Sequence, residues 1–227
     1  EPLNCYTLCV LLYLILSLIF RYTTSSEART TMPDTIPLWL PIAYTLFLLV
    51  LVPVYWKHYG PGNFLWFSDV ALFSVGIVLW TESHLLLSMM AVGVLGLELV
   101  WNVDYFGRLL TGKKLLGLSD YMFHPDKSLF LRGLSLFHVF LPAIVIWLLI
   151  DWGYDTRAFW YQTALAWVVL PLSYFLTDPK ENVNWVYGLG SKPQTAIPKR
   201  LYFAMALLFF PVCIYLPSHF LLQWIFN

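Results

Sequence analysis

Apolar residues in this chain gather into long runs, and the polar residues collect between them. Crossing a hydrocarbon core takes about 20 helical residues at roughly 1.5 Å rise each. Seven runs approach or reach that length, approximately residues 3–20, 38–56, 64–80, 85–103, 131–150, 158–177 and 201–226. The fourth is soft at its start, because only residues 81–84 separate it from the third. In lipid every backbone N–H and C=O needs an internal partner, which an open sheet or loop does not supply. The pattern predicts an all-α fold, a polytopic transmembrane bundle of about seven spanning helices forming a single integral membrane domain over residues 1–227, with six and eight as the neighbouring counts. Ser26-Glu27-Ala28 follows the first run with the small-residue spacing of a signal-peptidase site, but no basic stretch precedes that run, so a retained helix is expected.

Composition agrees. Of 227 residues 59% are hydrophobic and 11% charged, with a mean hydropathy of +0.70, whereas a soluble domain is about 25% charged. A soluble globular enzyme is excluded. Thirteen Lys and Arg balance 13 Asp and Glu, so composition gives no nucleic-acid-binding face. Cys5, Cys9 and Cys213 all lie within apolar runs, and no disulfide is expected.

Position carries more than the total. Assigning the connecting segments alternately to two sides puts Lys57, Arg108, Lys113, Lys114, Lys127, Arg132, Lys180, Lys192, Lys199 and Arg200 on one face. The other receives Arg21, Arg29 and Arg157. The positive-inside rule makes the first face cytoplasmic, with the N-terminus inside and the C-terminus outside, an arrangement that also requires an odd number of helices. Both long loops, residues 104–130 and 178–200, fall on the cytoplasmic side. Leu109, Leu110, Leu115 and Leu116 around Lys113 and Lys114 predict a short amphipathic segment at the headgroups. Trp39, Tyr55, Trp56, Trp80, Trp152, Tyr154 and Trp224 fit an interfacial belt, and His58, His84 and His219 fall at helix ends as further interfacial groups.

Ionisable side chains inside a spanning helix are costly and face a bundle interior, which makes each a candidate for function. Three lie deep: Asp69, Glu98 and His138. Counted from the predicted helix ends, all three fall roughly 10 Å inside the cytoplasmic boundary. Ser68 adjoins Asp69, Asn102 lies one turn from Glu98, and Ser135 one turn from His138. Ser173, Tyr174 and Thr177 come from the inner end of the sixth helix, while Gln162 and Thr163 are the main polar groups of the outer halves. This one-sided polarity predicts a pocket open toward the cytoplasmic leaflet. The plain alternative is a hydrogen-bond knot that locks helices together, although such glue is usually made of Ser, Thr and Asn.

Metal binding has thin support. His124 and Asp126 with Glu98 and His138 offer ligand chemistry, but no H-E-x-x-H or paired C-x-x-C spacing accompanies them. Asp126 and Asp178 adjoin Pro or Lys at helix boundaries, where Asp ordinarily caps or turns the chain. No metal ligand is assigned, and the sequence leaves any cofactor unknown. Gly76, Gly93 and Gly96 allow close helix contact. The segment 178–188, with Asn182, Asn184, Trp185 and Tyr187, is suited to form a lid over the pocket or a plain re-entrant connector. There is no G-x-S-x-G elbow, Walker loop or dinucleotide fingerprint. With no Lys inside a run, a retinal Schiff base is excluded.

The order Phe67-Ser68-Asp69-Val70-Ala71-Leu72, Glu98-Leu99-Val100-Trp101-Asn102, Phe137-His138 and Asn184-Trp185-Val186-Tyr187-Gly188 resembles an uncharacterised bacterial family of polytopic membrane proteins. It is also similar, more faintly, to the YwaF-like proteins, whose third-helix motif is Leu-Cys-Asp and whose later helices carry a Glu, a His and an Asn-Trp pair. Eukaryotic relatives of that group include transmembrane lipid hydrolases and ether-phospholipid acyltransferases. The resemblance covers residues 63–188 and places Ser68 where that family has Cys, and His138 where it has His. It implies attack on an acyl carbonyl by Ser68, proton acceptance by His138, and orientation of the imidazole by Asp69 or Glu98, with Asn102 beside them. The Cys-to-Ser change makes the base more important, because a hydroxyl is much less acidic than a thiol.

The expected function is therefore a membrane-embedded acyl hydrolase or acyltransferase acting on an inner-leaflet lipid, with membrane lipids as partners and a bacterial inner membrane as location. The alternative is a non-catalytic accessory subunit of a larger membrane complex, with other membrane proteins as partners. A proton or ion pathway ranks last, because the polar groups do not continue into the outer half.

Overall fold

The computed structural model describes residues 36–190 and 192–227, and every regular element among them is helical. Helix α1 is Trp39–Tyr59, followed by a 3₁₀ turn at Pro61–Leu65. Helix α2 is Phe67–Thr81, α3 His84–Thr111, α4 Leu129–Trp152, α5 Ala158–Leu176 and α6 Lys199–Phe226. Five of these, α1 and α3 to α6, are long and apolar enough to cross a membrane. The predicted run 64–80 forms the 15-residue α2, which at 1.5 Å per residue is roughly 22 Å long and short of a full crossing. The run 3–20 lies outside the described residues, as do Cys5, Cys9, Arg21 and Arg29. Among the described residues, five helices are thus long enough to cross where six of the seven expected runs fall.

Helix α2 tolerates its shortness because it is central. Ten of its 15 residues are buried, and it packs against α1, α3 and α4. Gly76 provides the α1 contact: a Cβ there would stand 3.0 Å from Leu48 and 3.3 Å from Tyr44, and the Tyr44 hydroxyl donates to the Leu72 carbonyl at 2.8 Å. Glu82 in the left-handed region (φ 53°) and Ser83 as the next N-cap turn α2 directly into α3.

Helix α3 extends further than expected, to Thr111 instead of 103, running through Gly107 and closing at Gly112, whose φ is 69°. Leu109 and Leu110 consequently belong to its last turn, and only Leu115 and Leu116 lie in the following loop. Within α3 a π-helical turn spans Ala91–Leu95, widening the coil just before Glu98. Gly93 in that turn lies under the Gln162 side chain, which a Cβ would strike. Gly96, in contrast, has only Ser218 nearby, at an ordinary 3.9 Å.

Two prolines leave carbonyls without their helical donors, and side chains from neighbouring helices take the vacant place. Pro142 has no N–H for the carbonyl of His138, four residues earlier; the Asn102 amide donates to it at 2.6 Å. Pro211 does the same to Leu207, whose carbonyl accepts from the Trp167 indole at 3.0 Å.

Contacts define two ends of the bundle. Lys127 before α4 meets Tyr59 at the end of α1, and Asn184 after α5 meets the start of α2. At the other end Asp155 after α4 meets Ser88 in α3, and Tyr154 meets Asn227. Among the described residues the first end carries the basic side chains predicted for one face, and Arg157 belongs to the second.

Candidate functional site

A cavity of about 360 Å³ occupies the basic end of the bundle, between α1, the start of α2, α3 and α4. Four of the five residues singled out from sequence, Ser68, Asp69, Glu98 and His138, line it. Asn102 does not; it stands behind the wall, donating to the carbonyls of His138 at 2.6 Å and Glu98 at 2.8 Å.

The central feature is a hydrogen bond of 2.8 Å between His138 Nδ1 and Glu98 Oε2. Glu98 is 4% exposed, so its carboxylate is withdrawn from water and its hydrogen bonding is spent on the imidazole. The ring is clamped between Trp101 and Phe137, with centroids at 4.6 and 4.0 Å and planes within 30°. A break at Leu136 between Leu129–Ser135 and Phe137–Trp152, together with the Asn102 brace, fixes the backbone that carries the ring. Nδ1 is thereby committed to Glu98, and among the described residues no hydrogen bond occupies Nε2. A histidine held this way has the carboxylate-oriented form of a general base.

Asp69 is 3% exposed and receives the Asn63 amide at 3.4 and 3.5 Å. It is not hydrogen-bonded to His138, so the orienting carboxylate of the pair is Glu98, one of the two alternatives left open by the sequence. Ser68, half-buried on the cavity wall, makes no hydrogen bond to His138 among the described residues.

Asn184 explains how Ser68 and Asp69 are held. Helix α2 has no side-chain cap from its own preceding residue. Instead Asn184 Oδ1 accepts from the Phe67 N–H at 2.9 Å, while its amide donates to the Leu65 carbonyl at 2.7 Å and to Ser173 Oγ at 3.0 Å. It caps α2 from 117 residues away, in place of a local Ser or Asp. Asn182, Asn184 and Trp185 all have positive φ, at 47°, 51° and 57°. Asn tolerates that region, but a tryptophan there is strained, and Asn184 and Trp185 both reach the cavity. The 178–188 segment is therefore part of the wall. Asn182 ties it together through the Gly188 and Gly190 carbonyls and the Tyr187 N–H.

Several lining groups were not singled out from sequence. Tyr55 had been placed in an interfacial belt, yet it is 3% exposed and shares a 2.7 Å hydrogen bond with Ser135. Tyr59, one turn on, was the available signal of a tyrosine face on α1. Asn63, Trp101, Tyr121 and Lys127 also line the cavity. Burial, and then neighbouring Tyr55, push the Tyr121 phenol well above its usual range against the opposing Ser135 hydrogen bond, so it remains a neutral O–H donor.

The four groups considered for a metal fall into two separate pairs, His138 with Glu98 and the largely exposed His124 with Asp126. Among the described residues no group of three His, Cys, Asp or Glu is arranged to hold an ion.

Compared with protein-family models, curated proteins and solved structures, the chain finds no match.

Proposed function

We propose that this chain is a membrane-embedded acyl hydrolase or acyltransferase that acts on a lipid of the leaflet facing the basic end of the bundle. The observation that carries this reading is the buried Glu98–His138 hydrogen bond beside a 360 Å³ cavity also lined by Ser68. The motif order, which faintly resembles that of the YwaF-like proteins, points the same way. Ser68 Oγ attacks the acyl carbonyl carbon, His138 Nε2 takes the hydroxyl proton, and Glu98 stabilises the resulting imidazolium. Collapse of the tetrahedral intermediate breaks the ester C–O bond, and His138 returns the proton to the leaving alcohol. Water or a second alcohol then attacks acyl-Ser68, giving hydrolysis or acyl transfer. Ser68 closes on His138 when substrate binds, a tightening common to catalytic hydrogen bonds that are long in the free enzyme. Under this reading α2, although shorter than the five long helices, crosses with them as the seven-span expectation requires, in a bacterial inner membrane with N-terminus cytoplasmic and C-terminus outside, so that the cavity faces the cytoplasmic leaflet.

One observation favours the accessory-subunit reading: α1 and α6 bury only 22% and 28% of their most apolar stretches in the bundle, leaving long apolar faces for lipid or another membrane protein. Labelling of the detergent-solubilised chain with a fluorophosphonate separates the two. The serine reading expects labelling that disappears in both Ser68→Ala and His138→Ala. A folded protein that takes no label favours the subunit.

A further inference from the structure

Acyl transfer does not account for the cation at the rim of the cavity. Lys127 lies in the loop before α4 and lines the cavity. Its ammonium donates to the Tyr59 hydroxyl at 2.9 Å and stands 4.3 and 5.0 Å from the ring centroids of Tyr59 and Tyr121. These are neutral partners. The loop's own carboxylates are engaged elsewhere, Asp120 with Arg108 and Lys114 and Asp126 with His124. Asp69 and Glu98 are tied to Asn63 and His138.

The loop is also held unusually firmly. Asp104 receives the N–H groups of Leu116, Gly117 and Ser119 and the Ser119 hydroxyl, at 2.6 to 3.1 Å. From the other side Arg132 donates to the carbonyls of His124 at 2.7 Å and Lys127 itself at 3.0 Å. A lysine on a solvated loop ordinarily keeps its rotamer freedom. Here the backbone on both sides is braced and the ammonium rests on two aromatic faces with no anionic partner among the described residues, which is a preorganised anion subsite.

Depth relates this subsite to the proposed chemistry. Tyr55 lies one turn deeper than Tyr59 on α1 and is bonded to Ser135, and His138 follows Ser135 by three residues. At 1.5 Å per residue, roughly 10 Å of depth separates Lys127 from His138. That distance suits an amphiphile whose anionic group and acyl ester are a few bonds apart, with the anion at the rim and the ester within.

We propose that Lys127, seated on Tyr59 and Tyr121, binds the phosphate of an anionic amphiphile and makes the cavity selective for a negatively charged head. This rests on the acyl-transfer reading for what happens to the bound molecule, but the binding is separately measurable.

The test uses the full chain in neutral detergent micelles and follows quenching of total tryptophan fluorescence, to which Trp66, Trp101 and Trp185 on the cavity wall contribute, by brominated phosphatidylglycerol or brominated phosphatidylcholine. Wild type is expected to prefer the glycerol lipid by about tenfold, the scale of one charge-assisted hydrogen bond. Lys127→Met should remove that preference, Lys127→Arg should keep most of it, and Lys113→Met, at an exposed site, should leave it unchanged. Equal quenching by the two lipids in wild type, or an unchanged preference in a folded Lys127→Met, overturns the proposal. Competition by free glycerol 1-phosphate as strong as by the lipid would also overturn it, by making the ligand a soluble phosphate. Loss of charge preference in Lys127→Met alongside full ester turnover in His138→Ala would retain the subsite and discard the acyl-transfer mechanism.

Discussion

At the basic end of the bundle a histidine, a carboxylate and tyrosines line a cavity; at the opposite end the same residue types close on one another. Tyr154 hydrogen-bonds His219 at 2.8 Å, and its backbone is clasped on both sides by Asn227. Asp155 takes the Arg157 guanidinium, while its N–H donates to Ser88 at 2.9 Å. His84 stacks on Trp152 at 4.7 Å. Apart from the Asp155–Arg157 pair, which lies within the turn after α4, these contacts join α3 near its start or the second half of α6 to the end of α4 and that turn. Residue type therefore does not distinguish a site from a lock. The difference lies in how they are spent: the far end closes its polar groups on one another, whereas the cavity keeps Ser68, the second nitrogen of His138 and a Lys127 ammonium that meets only neutral groups among the described residues beside open volume.

The strongest test of this contrast sets the two histidines against each other. Replacing a general base typically costs 10²- to 10⁴-fold in rate. His138→Ala should therefore lower turnover of a fluorogenic acyl ester at least about 100-fold, and should also lower the melting temperature, because the buried Glu98 loses its partner. His219→Ala should leave turnover within about twofold while losing the Tyr154 hydrogen bond, worth about 1 kcal/mol of stability. Equal turnover in the two variants would make both ends locks.

A second test asks whether Asn102 belongs to the reacting groups or to the frame. Its amide supplies the donor that Pro142 denies to the His138 carbonyl. Asn102→Leu leaves that carbonyl unpaired in an apolar setting and should cost about 1–3 kcal/mol, read as a lower melting temperature in detergent. Pro142→Ala in the same background restores an N–H at the right place and should recover part of the loss. A melting temperature that Pro142→Ala does not raise in Asn102→Leu would show that Asn102 does not act through the orphaned carbonyl.

The helical class and the ionisable core of the cavity wall were legible for a physical reason: burying Asp69, Glu98 and His138 in apolar runs is expensive, so their presence marks an enclosed polar layer. Which carboxylate meets the imidazole was not legible, because it depends on the π-turn at Ala91–Leu95 and the break at Leu136, and neither has a sequence period. Asn102 was grouped with the site through its spacing from Glu98. Its actual work depends on Pro142, 40 residues away, a relation visible only once α3 and α4 pack together. Lys127 was read as loop charge for the same reason, since the Asp104 and Arg132 braces that hold its loop are tertiary.

The smallest expected effect lies at the far end and is electrostatic. Burial raises the Asp155 carboxyl, but hydrogen bonds and the charge of Arg157, with a contribution from His84, outweigh it and hold the group below its ordinary value. A carboxyl depressed in the folded state contributes stability that is fully present above the unfolded pKa and is lost as pH falls through the folded value. Acidification below the ordinary carboxylate range should thus lower the melting temperature of wild type more than that of Asp155→Asn. The difference should be small, within about 1 kcal/mol, because the Arg157 side chain is 47% exposed and the pair is screened. Ester turnover at neutral pH should be the same in both proteins if the far end only locks helices. A loss of turnover in Asp155→Asn would mean that the two ends are coupled, and that the lock at one end sets the geometry of Glu98 and His138 at the other.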